Sequence, residues 1–184
     1  MTQTETALQV QAALRGEQLA FRRLFEAHSG AVFATAMRFT GNAETAEELT
    51  QDTFLRAFNA LDTYDDSRAQ FATWLQRIAY NTCVSHLRRQ PPPSHISLDD
   101  SPLSEGEMPD SISDEPAFSA DESRTEQLMR ALESLPPEER HLLTLFYFEQ
   151  RTLNEIGYIM RLSNAALSSR LNRIRKKLYL KLTT

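Results

Sequence analysis

Glycine and cysteine are both scarce in this chain of 184 residues. Its five glycines are about 3% of the residues, against a usual ~7%, which predicts few turns and much helix. They are too scattered to form a glycine-rich phosphate loop. The single cysteine, Cys83, excludes an internal disulfide and any multi-cysteine metal site. The histidines lack ligand spacing, so we expect no metal and no cofactor: His28, His86, His95 and His141.

Long apolar runs are absent as well. None approaches the ~20 residues that a membrane-spanning helix requires. The first residues also lack the apolar segment of a signal peptide. We therefore expect a soluble, cytoplasmic protein without a segment inserted in a membrane.

Basic residues are missing from one part of the chain. Residues 90–123 contain nine acidic side chains and no Lys or Arg, within a Pro- and Ser-rich sequence. From Ile156 onward the pattern is reversed, with seven Lys or Arg and no acid. This asymmetry predicts a nucleic-acid-binding end and an acidic tether.

The acidic segment predicts the domain organisation. It has too few apolar residues to offset the entropy of ordering it, which favours a flexible linker over residues 90–123; a merely solvated loop is the alternative. The sequence thus predicts an all-α fold of two small helical domains, residues 1–89 and 124–184.

Helical periodicity in the first domain predicts three main helices and a weaker one near Glu5 to Leu14. Gly41 is expected to end one helix and Asn42 to cap the next. A polar turn from Asp62 to Asp66 then precedes the third helix. That helix is expected to end at Arg88 and Arg89, before three prolines.

The second domain has the pattern of a helix-turn-helix. Pro136 and Pro137 are expected to start one helix, and Thr152 with Glu155 forms a capping box that starts another. After a short turn, the last helix is expected to bury one apolar stripe: Leu167, Leu171, Ile174 and Leu178.

The opposite face of that last helix carries Ser169, Asn172, Arg173 and Lys176, with cations on its flanks: Arg170, Arg175 and Lys177. Hydrogen-bonding side chains between cations suit a helix in the DNA major groove, where the centre reaches base edges and the flanks reach phosphates. A basic, solvated surface helix is the alternative.

Two further faces are candidates for binding. An acidic face on the second helix suits a basic protein surface, and it comprises Glu44, Glu48, Gln51, Asp52 and Leu55. Trp74 lies near Arg77 and Asn81, and aromatic rings beside such groups stack on unpaired bases. The alternatives are a solvated charged face and a tryptophan that belongs to the core.

The segments NAETAEELTQDTFLRAF at 42–58 and FATWLQRIAYN at 71–81 resemble region 2 of bacterial sigma factors of the extracytoplasmic function (ECF) type. The stretch from LPPEER at 135–140 to Leu178 is similar to region 4 of that family. The resemblance implies a subunit that binds core RNA polymerase and directs promoter recognition, strand opening and transcription initiation for a specialised, stress or envelope-type regulon. It also implies an anti-sigma factor as a partner.

The resemblance implies a role for individual residues. Those that match the segment gripping the β′ clamp helices are Glu48, Gln51, Asp52 and Phe54. Those that match the pocket for a flipped −10 base are Arg56, Asn59, Ala60 and Tyr64. Those that match the lining of the melted non-template strand are Trp74, Arg77, Asn81 and Arg88. The second domain is expected to meet the β flap, and its last helix matches the −35 reader: Ser168, Ser169, Arg170, Asn172, Arg173 and Lys176.

One departure from the family pattern concerns the start of that reading helix. Members usually have a Gly-Thr-Val-Lys-Ser-Arg-like run there, whereas this chain has Ala-Ala-Leu-Ser-Ser-Arg at 165–170, with Ser168 in place of the cation. The −35 preference of the family is therefore not carried over to this chain.

Two other functions compete with this interpretation. An ordinary helix-turn-helix repressor or activator would bind a palindromic duplex without polymerase, with the first domain serving dimerisation or sensing. An enzyme would need a nucleophile with its base, a metal cluster or a phosphate loop, and the sequence has none of these patterns. The acidic linker and the region 2 motif favour the sigma factor.

Overall fold

Every regular element in the described parts of the chain is helical. A computed structural model describes residues 1–89 and 122–183. The predicted linker at 90–123 lies outside these residues except for its last two, which begin a helix. The elements are α1 Gln3–Leu14, α2 Gln18–Thr40, α3 Ala43–Asn59, α4 Phe71–Arg89, α5 Glu122–Glu133, α6 Pro137–Leu143, α7 Leu153–Met160 and α8 Asn164–Thr183. The all-α prediction is confirmed.

Helices α1–α4 form the first bundle, and local signals set their limits. Gly41 adopts a left-handed conformation with φ of 63°, which suits a residue without a Cβ and ends α2. The side chain of Asn42 then accepts a hydrogen bond from the amide of Thr45 and caps α3. Both predictions at this junction are confirmed.

The core of the first bundle is built from all four helices. Trp74 and Leu75 of α4 pack in one cluster with Leu24 of α2 and Phe54 of α3, and α1 adds Val10. Rings interlock across it, since the Phe25 and Phe54 ring centroids lie 4.7 Å apart and those of Phe21 and Phe58 4.6 Å. Such pairs add about 0.5–1.5 kcal/mol beyond the area that they bury.

Helices α5–α8 form the second bundle. Pro137 opens α6, and a π-helical turn over Thr144–Phe148 continues it. The predicted capping box is present, since Thr152 accepts from the amide of Glu155 and the carboxylate of Glu155 accepts from the amide of Thr152. The predicted apolar stripe of α8 packs inward, with Leu167, Leu171 and Ile174 buried and Leu178 partly buried.

The turn between α7 and α8 is tight. Arg161 ends α7 in the left-handed region with φ of 57°, and the chain folds back over Gly157. A Cβ atom at Gly157 would lie 2.7 Å from the carbonyl oxygen of Leu162, so a glycine is required there. The helix-turn-helix therefore depends on close contact between backbones.

The two bundles share one apolar cluster. Phe39 of α2 and Tyr80 and Val84 of α4 belong to the same cluster as Leu142 and Ile156 of the second bundle. Helix α7 packs on α4, and α6 packs on α2. The second bundle thus lies directly against the first.

His141 of α6 sits in this interface and is fully buried. Its ring stacks on Tyr80, with centroids 5.6 Å apart and an angle of 15°, and lies 5.2 Å from the ring of Phe39. Neither ring nitrogen has a hydrogen-bond partner among the described residues. Burial, together with the charge of Arg38, lowers the pKa of His141 to about 3.

A series of ion pairs lies at the edge of the interface between the two bundles. Arg38 of α2 donates to Glu149 across 3.2 Å, and the same carboxylate lies 3.6 Å from Arg151. Arg151 in turn contacts Glu155 at 3.2 Å. All four side chains are partly shielded from solvent, so the pairs are stronger than exposed ones.

We predict that Gly157→Ala destabilises the second bundle by about 1–3 kcal/mol, because its Cβ would collide with the backbone of Leu162. Gly30→Ala is the matched control, because a Cβ in the middle of α2 meets no atom within 4 Å. That change should be neutral or should stabilise by about 0.5–1 kcal/mol. Thermal unfolding of both variants measures the difference, and equal effects would contradict the account of the turn.

We predict that acid weakens the fold through His141. Its pKa is about 3 when buried and ~6.5 when exposed, so the unfolded chain binds the proton more tightly. The stabilisation is complete above pH ~6.5 and falls by about 1.4 kcal/mol per pH unit below it, down to pH ~3. Burial raises the pKa of Tyr80 and of Cys83 to about 12, so neither titrates in this window.

Urea unfolding at pH 7.0, 6.0 and 5.0 tests this dependence against His141→Leu. The wild-type chain should lose stability more steeply than the variant, which lacks the titrating group. Parallel profiles would show that His141 is solvated in the folded protein.

Candidate nucleic-acid interface

The acidic face of α3 is exposed. Glu44, Glu48, Gln51 and Asp52 all reach solvent, and Leu55 beside them is 61% exposed. Within residues 1–89 and 122–183, the three carboxylates make no ion pair. A band of free negative charge with an apolar residue at its side suits a basic protein surface and repels DNA.

Phe54 differs from the other residues predicted on this face. It is only 3% exposed and packs against Phe25 and Phe58 in the core of the first bundle. Its position in α3 turns it inward, because the apolar stripe includes Thr53, Phe54 and Ala57. The ring of Phe54 therefore belongs to the core beneath the acidic face. This burial corrects the expectation that Phe54 contacts the β′ clamp helices directly.

A cleft opens where α4 meets α7, and we call it the strand cleft. Its walls include four of the residues predicted to bind the −10 element, namely Ala60, Trp74, Arg77 and Asn81. Trp74 is mostly buried at 6% exposure, so it serves the core and also borders the cleft. The interpretation of Trp74 as a core residue is therefore confirmed, and its stacking on unpaired bases stays a prediction.

Tyr64 and Trp74 belong to one aromatic group with Phe71. Their ring centroids are 5.4–5.6 Å apart, so the rings hold one another in place. Burial raises the pKa of Tyr64, with Asp66 adding to the shift, which keeps its hydroxyl protonated. The remaining predicted residues lie at the ends of α3 and α4, where Arg56, Asn59 and Arg88 are exposed.

Tyr158 of α7 and Arg161, which caps that helix, complete the strand cleft. Arg161 lines it, and the ring of Tyr158 lies under the guanidinium of Arg77, 4.7 Å from ring centre to carbon. Tyr158 also packs against the core of the first bundle. Sequence reasoning missed both, because no local pattern reveals a contact between residues 81 positions apart in the chain.

The outer face of α8 is exposed as predicted. Ser168, Ser169, Asn172, Arg173 and Lys176 all reach solvent, while Arg170 is partly covered. Arg173 and Lys176 make no ion pair within the described residues. These side chains are therefore available to an outside partner.

The flanking cations of α8 are held by the protein itself. Lys177 contacts Glu139 at 2.7 Å, and Arg170 lies 3.9 Å from Glu138, both acids being in the first turn of α6. Arg175 donates to the hydroxyl of Tyr147 at 2.7 Å and to the side-chain oxygen of Asn172 at 3.2 Å. This bond leaves the amide nitrogen of Asn172 free to donate outward.

The described residues contain neither a metal-binding cluster nor a membrane-spanning helix. Among residues 1–89 and 122–183, no cluster of His, Cys, Asp and Glu could hold a metal ion. In the same ranges, none of the helices is both long and apolar enough to cross a membrane.

Two family models match the chain. Residues 24–91 match Sigma-70 region 2, and residues 125–178 match Sigma-70 region 4. The matched segments contain the acidic face of α3, the first-bundle wall of the strand cleft and the exposed face of α8.

Relatives match along most of their length. The chain is 31% identical over 181 residues to RNA polymerase sigma-H factor of Pseudomonas aeruginosa, covering 96% of this chain and 93% of the relative. It is 26% identical over 174 residues to ECF sigma factor SigW of Bacillus subtilis, covering 89% of each. It is also 29% identical over 171 residues to the sigma-E factor of Escherichia coli, covering 91% and 88%.

Solved structures share the fold. CnrH in complex with the cytosolic domain of CnrY aligns with a TM-score of 0.63 at 24% identity, covering 96% of both chains. RpoE of Bartonella quintana, in complex with the anti-sigma factor NepR, aligns with a TM-score of 0.59 at 19% identity, covering 89% of this chain and 97% of that one. Regions 2 and 4, the full-length relatives and the shared fold agree: the chain belongs to the sigma-70 family, as an ECF-type sigma factor that directs promoter-specific transcription initiation.

Proposed function

We propose that the three surfaces divide the work of initiation among them. The acidic face of α3 binds core polymerase, the strand cleft holds the melted −10 element, and the outer face of α8 reads the −35 element. The observation that carries this proposal is the separation of charge: among the described residues, the carboxylates Glu48 and Asp52 of α3 and the cations Arg173 and Lys176 of α8 are exposed and make no ion pair. DNA and a basic polymerase surface would each be attracted to a different part of the chain.

The acidic face would dock on the β′ clamp helices. Glu48 and Asp52 lack cationic partners among the described residues, so their charge is available to a basic surface. Leu55 supplies apolar contact area beside them. Charge complementarity of this kind sets orientation and association rate. The second bundle would meet the β flap.

The strand cleft would favour melting without covalent chemistry. Extruding a base from the duplex costs a few kcal/mol, which stacking and hydrogen bonds in a pocket can offset. Arg77 and Asn81 offer hydrogen-bond donors to an unpaired strand, and the aromatic group around Tyr64 and Trp74 forms a rigid floor. Arg56 and Asn59 lie at the end of α3, where the flipped base would enter.

The outer face of α8 would enter the major groove. Arg173 is suited to guanine O6 and N7, and Asn172 to adenine N6 and N7. Ser168 and Ser169 accept or donate short hydrogen bonds at the start of the helix. Ser168 stands where the family usually has a cation, so the −35 sequence read here would differ from the usual one.

We also propose an anti-sigma factor as the regulator. The two solved relatives described above were both captured in complexes, one with the cytosolic domain of CnrY and one with the anti-sigma factor NepR. The chain would act in the cytoplasm on a specialised, stress or envelope-type regulon, as a non-catalytic subunit. An independent helix-turn-helix regulator is the competing function, and it would bind duplex promoter DNA tightly without polymerase.

We predict that Glu48→Arg combined with Asp52→Arg weakens binding to core polymerase by roughly tenfold or more, because attraction becomes repulsion. Both positions are exposed, so circular dichroism should be unchanged. The control is Asp62→Arg with Glu133→Arg, which makes the same change of net charge at exposed positions away from α3. Affinity by fluorescence anisotropy decides, and equal loss in both double variants would refute a specific face.

We predict that Arg173→Ala and Asn172→Ala change the preferred base at particular −35 positions, since each base-edge pair discriminates by ~1–3 kcal/mol. Lys177→Ala should instead weaken all promoters uniformly and reduce the salt dependence by at most about one ion, because its charge acts on phosphate and is already shared with Glu139. Transcription of a promoter library randomised at −35 separates the two classes. If no variant shifts the preferred sequence, α8 is only a nonspecific cationic clamp.

A further inference from the structure

We propose that Arg175 and Tyr147 set the base preference of Asn172 at the −35 element, because they hold its side-chain amide in an orientation that pairs with adenine and opposes guanine. Both are positioning residues, which act through Asn172 and not on the base. The inference rests on the −35 role proposed above for Asn172. It assigns Arg175 a task in sequence reading that the phosphate contact expected of a flanking cation would not perform.

The first observation is a chain of hydrogen bonds that ends on the outer face of α8. The Nε of Arg175 donates to the hydroxyl of Tyr147 across 2.7 Å, and the Nη1 of the same guanidinium donates to Oδ1 of Asn172 across 3.2 Å. Within residues 1–89 and 122–183, Arg175 makes no ion pair, so no carboxylate draws it away. The guanidinium therefore bridges Tyr147 and Asn172.

The second observation is that the anchor of this bridge is fixed. Tyr147 lies in the π-helical turn Thr144–Phe148, and its ring meets that of Phe146 edge-on, with centroids 5.0 Å apart. Phe146 in turn packs against the apolar cluster shared by the two bundles. The guanidinium carbon of Arg175 lies 5.8 Å from the ring centre of Tyr147, which adds a cation–π attraction to the hydrogen bond. Arg175 is thus tied to the packed interior through two rings.

The third observation identifies the two ends of the Asn172 amide. A guanidinium donates hydrogen bonds and cannot accept them, so the end that faces Arg175 must be the oxygen. The oxygen has two lone pairs, of which Arg175 takes one. The NH2 group and the remaining lone pair are left together on an exposed side chain. Asn172 therefore presents one donor group beside one acceptor.

This arrangement suits adenine. In the major groove adenine offers an acceptor at N7 and a donor at N6, whereas guanine offers acceptors at both N7 and O6. Beside guanine, the oxygen of Asn172 would therefore face O6, and two acceptors repel each other. To escape, the amide would have to turn its oxygen away and break its bond to Arg175. The bridge thus favours adenine by opposing that turn.

Two variants separate orientation from charge. Arg175→Lys keeps the positive charge for phosphate, but a single ammonium lacks the planar fork that reaches Tyr147 and Asn172 together. Tyr147→Phe keeps the ring and removes the hydroxyl that accepts from Nε. Arg130→Lys is the matched control, because this guanidinium contacts Glu126 on its own helix, α5, and its side chain is 75% exposed.

The first readout is the side-chain conformation of Asn172 in the free chain, measured by three-bond NMR couplings about its Cα–Cβ bond. This measurement uses no polymerase and no DNA. The wild-type chain and Arg130→Lys should show one rotamer, and Arg175→Lys and Tyr147→Phe an average over several, because the bridge is broken. Averaged couplings in the wild-type chain overturn the proposal.

The second readout is transcription by the holoenzyme from a promoter library randomised at −35. Asn172→Ala first marks the position that Asn172 reads. At that position, the ratio of adenine to guanine should fall by roughly threefold or more for Arg175→Lys and Tyr147→Phe and stay the same for Arg130→Lys. Preferences elsewhere in the element and the salt dependence should not change with Arg175→Lys, since its charge is kept. In the Asn172→Ala background, Arg175→Lys should cause no further shift at that position.

The outcomes separate this inference from the proposed function. If Asn172→Ala shifts the preference and Arg175→Lys leaves it unchanged, or weakens all promoters uniformly, Arg175 is a phosphate contact only and the inference alone is overturned. If Asn172→Ala shifts no base, the proposed −35 role of Asn172 fails, and the inference fails with it.

Discussion

The whole arrangement depends on α4 being buried on two sides. Leu75 and Ala79 face the core of the first bundle, while Tyr80 and Val84 enter the cluster shared with the second. The polar residues Arg77 and Asn81 are left along the edge of the strand cleft. One helix therefore holds the first bundle together, receives α7 and carries the groups proposed to bind the strand. A change on any side of α4 is expected to affect the other two.

Local signals made most of the helices predictable. The break at Gly41 and Asn42 is encoded within two residues, and the capping box at Thr152 and Glu155 within four. The exposed face of α8 follows from helical periodicity, because Leu167 and Leu171 fix which side turns inward. In each case the physical cause lies within one or two helical turns, so the sequence alone carries it.

Contacts distant in sequence were not predictable. Phe54 matches a segment proposed to bind polymerase, but α3 packs on α2 such that its ring fills the core. His141 is one of four histidines without a distinctive pattern, and only the docking of α6 against Phe39 and Tyr80 makes its burial complete. Tyr158 gains its position over Arg77 from the same docking. No periodicity encodes how one bundle meets another.

The ion pairs of α8 distinguish the side chains that the fold fixes in place from those proposed to contact DNA bases. Glu138 and Glu139 neighbour Arg170 and Lys177, so these flanks are already partly neutralised and oriented by α6. Arg173, between them, has no such partner within the described residues, and its full charge remains for DNA. A side chain that must discriminate between bases binds them better when no acid of the protein competes for it. A side chain that only positions the helix on the phosphates binds better when it is already fixed in place. Of the proposed reading residues, Arg173 and Lys176 are the cations that make no ion pair within the described residues, whereas Arg170 lies near Glu138 and Asn172 accepts from Arg175.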